Sequence, residues 1–160
     1  MRDLDIIKSL CFLMIPFLLW FQLGEQLDSI SQYAQEIQLS FAVYLTSVAT
    51  LFFDNGFEDR TKWFEMTLGV SLIGLILFDN ESFYYTHYAF ATYFFLGCVF
   101  NMIFFSSGKY RFYTILIGLG VLTAMAGKYF FEWYSLYWAE FIGIIPISLH
   151  KILERLGKID

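Results

Sequence analysis

The sequence has few charged residues, few cysteines and few histidines, and each shortage narrows the kind of protein it encodes. Charged residues make up 16% of the 160 residues, whereas hydrophobic residues make up 58%. A soluble domain ordinarily has about a quarter charged residues. Two cysteines and two histidines are present in all. This is too few for the usual zinc frameworks or for a disulfide scaffold.

The two cysteines, Cys11 and Cys98, both lie inside apolar runs and form no CxxC pair. We expect small buried hydrophobic side chains and no disulfide. The chain also lacks a basic patch, and its net charge is -5. Nothing therefore indicates a nucleic-acid partner.

Long apolar runs are what the chain has instead. A helix needs about 20 apolar residues to cross the hydrocarbon core of a bilayer. The runs are continuous rather than alternating, which favours helices over a barrel. We predict an all-α, polytopic membrane protein, a six-transmembrane-helix bundle forming one integral membrane domain over 1–160. The predicted spans are about 6–23, 38–53, 63–78, 84–105, 112–127 and 133–150.

Lysine and arginine residues fall on alternate sides of the predicted spans. Nine lie in the N-terminus, the second and fourth loops and the tail, and Lys128 alone lies in the fifth loop. Cytoplasmic loops carry the excess of such residues. We therefore predict a multi-pass protein of the cell membrane (inner membrane) with both termini in the cytoplasm. Loops one, three and five are then extracytoplasmic.

Glu140 is the deepest carboxylate of the predicted outer half. An ionisable residue inside a span is costly, by roughly 2.5–3.5 kcal/mol for a central Asp, Lys or Arg. One interpretation is a buried base, an ion ligand or a partner for His87 or Lys128. The other is a packing carboxylate bonded to tyrosine or serine hydroxyls of neighbouring helices.

His87 and Asp79 flank the turn between the third and fourth spans. His87 suits proton transfer near neutrality, or it is an interfacial histidine in a belt of tyrosines. Asp79 is its paired candidate, or a turn residue facing water. In loop one, Asp28 or Ser29 is predicted to cap a short surface helix. We expect Glu140, His87, Asp79 and Asp28 to surround one outer vestibule that binds a ligand or an ion.

Catalytic chemistry has weaker support. Ser31, His87 and Asp79 are candidates, but no nucleophile-elbow glycines surround the serine and no catalytic residue is assigned. A zinc ion held by His87 would need further histidines, and His150 is predicted across the membrane. We expect no metal and no cofactor.

A short pattern links three of these regions: SISQYA at 29–34, an acidic residue closing the third span, and H-x-x-x-A-x-x-x-F at 87–95. It resembles the six-helix DRAM and GPI-remodelling membrane protein family and related uncharacterised bacterial membrane proteins. More distantly, it is similar to the alkaline ceramidase and adiponectin-receptor superfamily of intramembrane hydrolases. The first resemblance implies six spans and a lipid-associated role. The second implies zinc on three histidines, with Ser31, Asp79 and His87 as the matching positions, but the late His-x-x-x-His pair is lacking.

Three function classes follow. The favoured one is a non-enzymatic membrane protein whose outer polar vestibule binds a lipid, an ion or a partner. The second is an oligomeric channel or transporter, and the third is a lipid-modifying intramembrane hydrolase. Membrane lipids are the expected partners, with a homo-oligomer or a membrane partner protein left open.

Overall fold

The computed structural model describes residues 2–59, 62–105 and 111–157, and all regular structure within these ranges is helical. Arg60, Lys109 and Lys158, which entered the charge count, lie outside them. A 3₁₀ turn covers Ile30–Gln32, and a π-helical segment covers Asn101–Phe105. The α-helices are α1 Arg2–Leu23, α2 Tyr33–Glu36, α3 Gln38–Glu58, α4 Trp63–Leu77, α5 Tyr84–Phe100, α6 Arg111–Phe131 and α7 Leu136–Arg155.

Each predicted apolar run coincides with a long helix, but three helices continue beyond it. α3, α6 and α7 extend by several residues past the predicted ends of their runs. Residues 54–56, Asp-Asn-Gly, are of types that favour a turn, but they belong to α3. Asn55 is held there by a hydrogen bond from its side-chain amide to Glu65 of α4. A tertiary contact thus overrides the local turn preference of Asp-Asn-Gly.

Within the described ranges, four helices are long and apolar enough to cross a membrane, which is typical of a multi-pass membrane protein. α4 is a shorter apolar helix. Large apolar side chains are exposed on the outside of every long helix, for example Phe21 (90% exposed) on α1 and Phe130 (81%) on α6. Water disfavours such an apolar exterior, whereas lipid tolerates it. The four spanning segments are Leu4–Leu23, Tyr84–Phe105, Arg111–Phe131 and Leu136–Arg155.

The long helices form a closed ring. α1 packs against α3 and α7, and the ring continues through the pairs α3–α4, α4–α5, α5–α6 and α6–α7. Glycines let α4 approach its neighbours, as expected from Gly69 and Gly74. A Cβ atom at Gly74 would lie 2.6 Å from the Phe90 ring of α5, and one at Gly69 would lie 3.1 Å from the Ala49 carbonyl oxygen of α3.

The ring has two chemically different ends. At the end we call the loop-one end, residues 24–37 lie against the start of α7. At the opposite end, which we call the tail end, charged side chains of α1, α3 and α4 meet the last turns of α7. The candidate residues of the sequence lie toward the loop-one end.

Candidate ligand-binding cavity

Loop one is folded into the ring by its own cap. Ser29 caps the 3₁₀ turn, with its Oγ accepting from the Gln32 amide at 3.3 Å, while the Gln32 side chain accepts from the Asp28 amide at 2.9 Å. The prediction that Ser29 caps a short helix is confirmed. The surface position is wrong, because Ile30 and Tyr33 are buried. The Tyr33 hydroxyl donates to the loop itself, and burial raises its pKa.

Glu140 is the reason this loop is buried. Its Oε2 accepts a hydrogen bond from the Ile30 amide at 2.6 Å. One turn earlier in α7, the Tyr137 amide donates to the Asp28 carbonyl at 2.7 Å. The expected bonds to tyrosine or serine hydroxyls are therefore wrong. The carboxylate binds a backbone N–H group, much as a side chain does at a helix N-cap.

His87 lies in the first turn of α5 and is 2% exposed. Its Nδ1 lies 2.7 Å from the Phe78 carbonyl oxygen at the end of α4. Since a carbonyl only accepts, Nδ1 carries the proton, and Nε2 of the neutral ring is an acceptor. His87 is buried inside the bundle while Tyr84 and Tyr85 of the same turn are exposed, so its ring is not part of the exposed tyrosine surface.

Ser31, His87 and Glu140 line one cavity of about 60 Å³ inside the ring. A single water needs roughly 10–15 Å³ on this measure, so the space suits a few waters or a small polar group. The three polar side chains come from loop one, α5 and α7. The rest of the lining is apolar and includes Phe12, Leu45, Leu72, Phe94 and Ile144.

A second space of about 210 Å³ lies between α5, α6 and α7. Its walls include Leu96 and Met125. Three side chains line both spaces: Ala91, Phe95 and Glu140. We call this second space the seam cleft. These three residues form the wall between the seam cleft and the cavity.

Asp79 and Asp28 are not among the residues that line either space in the described structure. Asp28 is exposed. Asp79 caps its own turn, with Oδ1 accepting from the Ser82 amide at 2.7 Å and from the Glu81 amide at 3.0 Å. The amide of Ser82 holds the pKa of Asp79 below its ordinary value. Of the four residues expected around one vestibule, the cavity thus contains His87 and Glu140, together with Ser31. Asp79 is a turn residue.

The Asp79 turn is expected to loosen only in acid. Because the folded pKa is lowered, the stabilisation by the carboxylate is complete above its unfolded value and is lost as the pH falls through the folded value. Hydrogen exchange at the Ser82 amide, corrected for intrinsic rates, should stay slow near neutrality and speed up in acid. Asp79→Asn keeps an acceptor but should remove this pH dependence. Acid-induced exchange that persists in Asp79→Asn would contradict the assignment.

A buried ion pair at the tail end was missed by sequence reasoning. Lys151 and Glu65 are both 1% exposed, and Lys151 Nζ lies 2.6 Å from Glu65 Oε2. The side-chain amides of Asn55 and Asn101 donate to Glu65 at 2.7 and 3.0 Å. Lysines near the end of a span often snorkel to the interface, but Lys151 does not, because Glu65 lies within reach. A carboxylate at 65 inside an apolar run was the available signal.

Further pairs connect the tail to three helices. Lys62 bonds to Glu154, and Lys151 also bonds to Glu154 at 2.9 Å. Arg155 lies 2.9 Å from Glu58 and 3.3 Å from Asp5. Four of the cations counted as a topology signal, Lys8, Lys62, Lys151 and Arg155, are therefore paired with carboxylates.

Both cysteines are free, as expected, but only Cys98 is buried. Cys11 is exposed on the outside of α1, which corrects the expectation of burial. Neither thiol lines the cavity or the seam cleft.

Comparison with known proteins finds one family. A family model described as a family of unknown function, DUF7103, matches residues 14–155. No curated protein and no solved structure matches the chain.

Proposed function

Since the chain belongs to DUF7103, a family of unknown function, we propose its function from the cavity and the seam cleft. The protein binds a lipid-like amphiphile, with the polar end of the ligand in the cavity and its apolar chain in the seam cleft. One observation carries this proposal: Glu140, Ala91 and Phe95 are walls of both spaces. A cavity with polar side chains beside an apolar groove, sharing one wall, suits a ligand with a polar end and an apolar chain.

The proposal includes an orientation in the membrane. All six long helices cross, both termini are cytoplasmic, and the cavity lies in the extracytoplasmic half. The distribution of charge supports this, because Lys8, Lys62, Lys151 and Arg155 all lie at the tail end. Positive charge favours the cytoplasmic side. The resemblance to a family with a lipid-associated role agrees with the proposal.

The interior of the ring favours binding over conduction. Between the cavity and Lys151 the core is filled by Phe52, Phe94 and Ile147, each at most 2% exposed. A water-filled path needs polar groups or open space, and this region supplies neither. A channel would therefore have to form between chains.

A hydrolase is the second candidate, because Ser31 and His87 line the same cavity. Ser31 Oγ lies 3.0 Å from Ser29 Oγ. Within the described ranges, no three His, Cys, Asp or Glu side chains are grouped so as to hold a metal. The resemblance to zinc hydrolases therefore supplies only the serine and one histidine. Release of fatty acid from a short-chain lipid ester, lost in both Ser31→Ala and His87→Gln, would favour this candidate.

The binding proposal predicts that Ala91→Leu excludes the ligand. Ala91 lies where the two spaces meet, so a larger side chain there fills the junction without removing a polar group. We expect labelling of α5 and α7 peptides by a photoreactive twelve-carbon alcohol, and a loss of about tenfold in Ala91→Leu, corresponding to roughly 1.4 kcal/mol. The measurement is photolabelling of detergent-solubilised protein followed by peptide mapping.

The matched control is Ala89→Leu, on the exposed side of the same helix. It adds the same volume in a groove between α4 and α5, outside the cavity and the seam cleft, so labelling of the α7 peptide should equal that of the wild type. Equal labelling of Ala91→Leu and wild type, with both proteins folded, would refute the proposal.

A further inference from the structure

We propose that the polar end of the bound molecule is a protonated amine. This inference rests on the proposed amphiphile site and names its ligand class. It follows from the hydrogen-bond acceptors in the cavity and from the net negative charge of the loop-one end.

Glu140 is the only acidic or basic residue other than His87 that lines the cavity or the seam cleft in the described structure. An ionised carboxylate has about four acceptor positions. The amide of Ile30 occupies one of them. The remaining positions are suited to N–H donors of a cation, and charge-assisted bonds of this kind are about twice as strong as neutral ones.

The other two polar side chains of the cavity are also acceptors. Nδ1 of His87 is engaged by the Phe78 carbonyl, which leaves Nε2 with a lone pair. The Ser31 hydroxyl has lone pairs besides its contact with Ser29. An ammonium group has three donors and no acceptor, so it matches these three groups. A carboxylate or phosphate would find no cationic partner among them.

The charge of the loop-one end acts in the same direction. Loops of one charge sign concentrate ions of the opposite sign near a binding site. Lys128 is the only basic residue of this end, counting residues 24–37, 78–83 and 128–140. The acidic residues of the same segments are Glu25, Asp28, Glu36, Asp79, Glu81, Glu132 and Glu140. A cationic amphiphile is therefore attracted and an anionic one repelled.

The test compares three amphiphiles of one chain length, dodecylamine, dodecanol and dodecanoate, by competition against the photoreactive alcohol. We expect the amine to compete at least about tenfold better than the alcohol, and dodecanoate to be the weakest competitor. Butylamine, which has the same head group without a long chain, is included to identify a soluble amine. We expect it to compete weakly.

Glu140→Gln is the decisive variant. Its amide oxygen still accepts from the Ile30 amide, so loop one keeps its anchor. We expect the preference for dodecylamine over dodecanol to disappear. The control is Glu36→Gln, which removes one exposed acidic residue of the same end without touching either space. It should retain the amine preference.

The outcomes separate the two proposals. Equal competition by dodecylamine and dodecanol in the wild type would overturn the amine inference and leave the amphiphile site intact. Absence of labelling by the photoreactive alcohol in the wild type would overturn the site itself. Competition by butylamine as strong as by dodecylamine would overturn the lipid-like ligand in favour of a soluble amine.

Discussion

Replacing Lys151 with methionine is expected to lower the free energy of unfolding by about 3–5 kcal/mol. The variant leaves Glu65 buried among Asn55, Asn101 and Phe52 without its cation. A buried charge that loses its partner retains the full desolvation penalty, which is larger than the attraction that the pair itself contributes. Unfolding in detergent, followed by the loss of helical signal with added denaturant, measures the change.

The double variant Lys151→Met/Glu65→Leu should recover part of that loss. Removing both charges together leaves no uncompensated charge. The double variant should therefore lose less free energy of unfolding than the sum of the losses in the two single variants. Glu154 then keeps its bond to Lys62. Glu58→Gln is the control: the Glu58 side chain is 39% exposed in its pair with Arg155. Exposed pairs contribute about 1 kcal/mol at most. A stable Lys151→Met variant would show that Glu65 is not charged in the folded protein.

Replacing Tyr137 with alanine is expected to destabilise the protein by about 3–5 kcal/mol, the range of large aromatic truncations in a packed core. Tyr137 is 1% exposed, its ring packs against Tyr33, and its hydroxyl donates to the Pro16 carbonyl oxygen at 3.1 Å. The side chain therefore joins α7 to α1 and to loop one. Its loss would also loosen the loop that carries Ser31, so binding of the photoreactive alcohol should fall.

Two variants separate the contributions of Tyr137. Tyr137→Phe keeps the ring and removes only the hydrogen bond, and it should lose about 1 kcal/mol. Trp138→Ala truncates the next residue, which is 37% exposed, and should cost much less than Tyr137→Ala despite the larger side chain. If Trp138→Ala and Tyr137→Ala were equally destabilising, the contact with loop one would not be what stabilises this end of α7.

Much of the fold could be predicted from the chain alone. Continuous apolar runs lead to helices whatever their neighbours are, because a helix satisfies its own backbone in an apolar environment. The Ser29 cap is also local, since its partner Gln32 lies three residues away. Residue type alone was enough to single out His87 and Glu140, because ionisable groups in apolar runs are rare.

Only the tertiary structure decided which of those residues share a site. Glu140 and Ile30 are 110 positions apart, and Lys151 meets Glu65 across the ring. Local sequence patterns alone favour a turn at Asn55, a snorkelling Lys151 and an Asp79 in the vestibule. The tertiary structure places Asn55 in α3, pairs Lys151 with Glu65 and leaves Asp79 outside both spaces. An ionisable residue inside an apolar run indicates that its side chain needs a polar partner, but not where along the chain that partner lies. The partner is decided when the six long helices pack into the ring. This packing brings Ser31, His87 and Glu140 to one cavity.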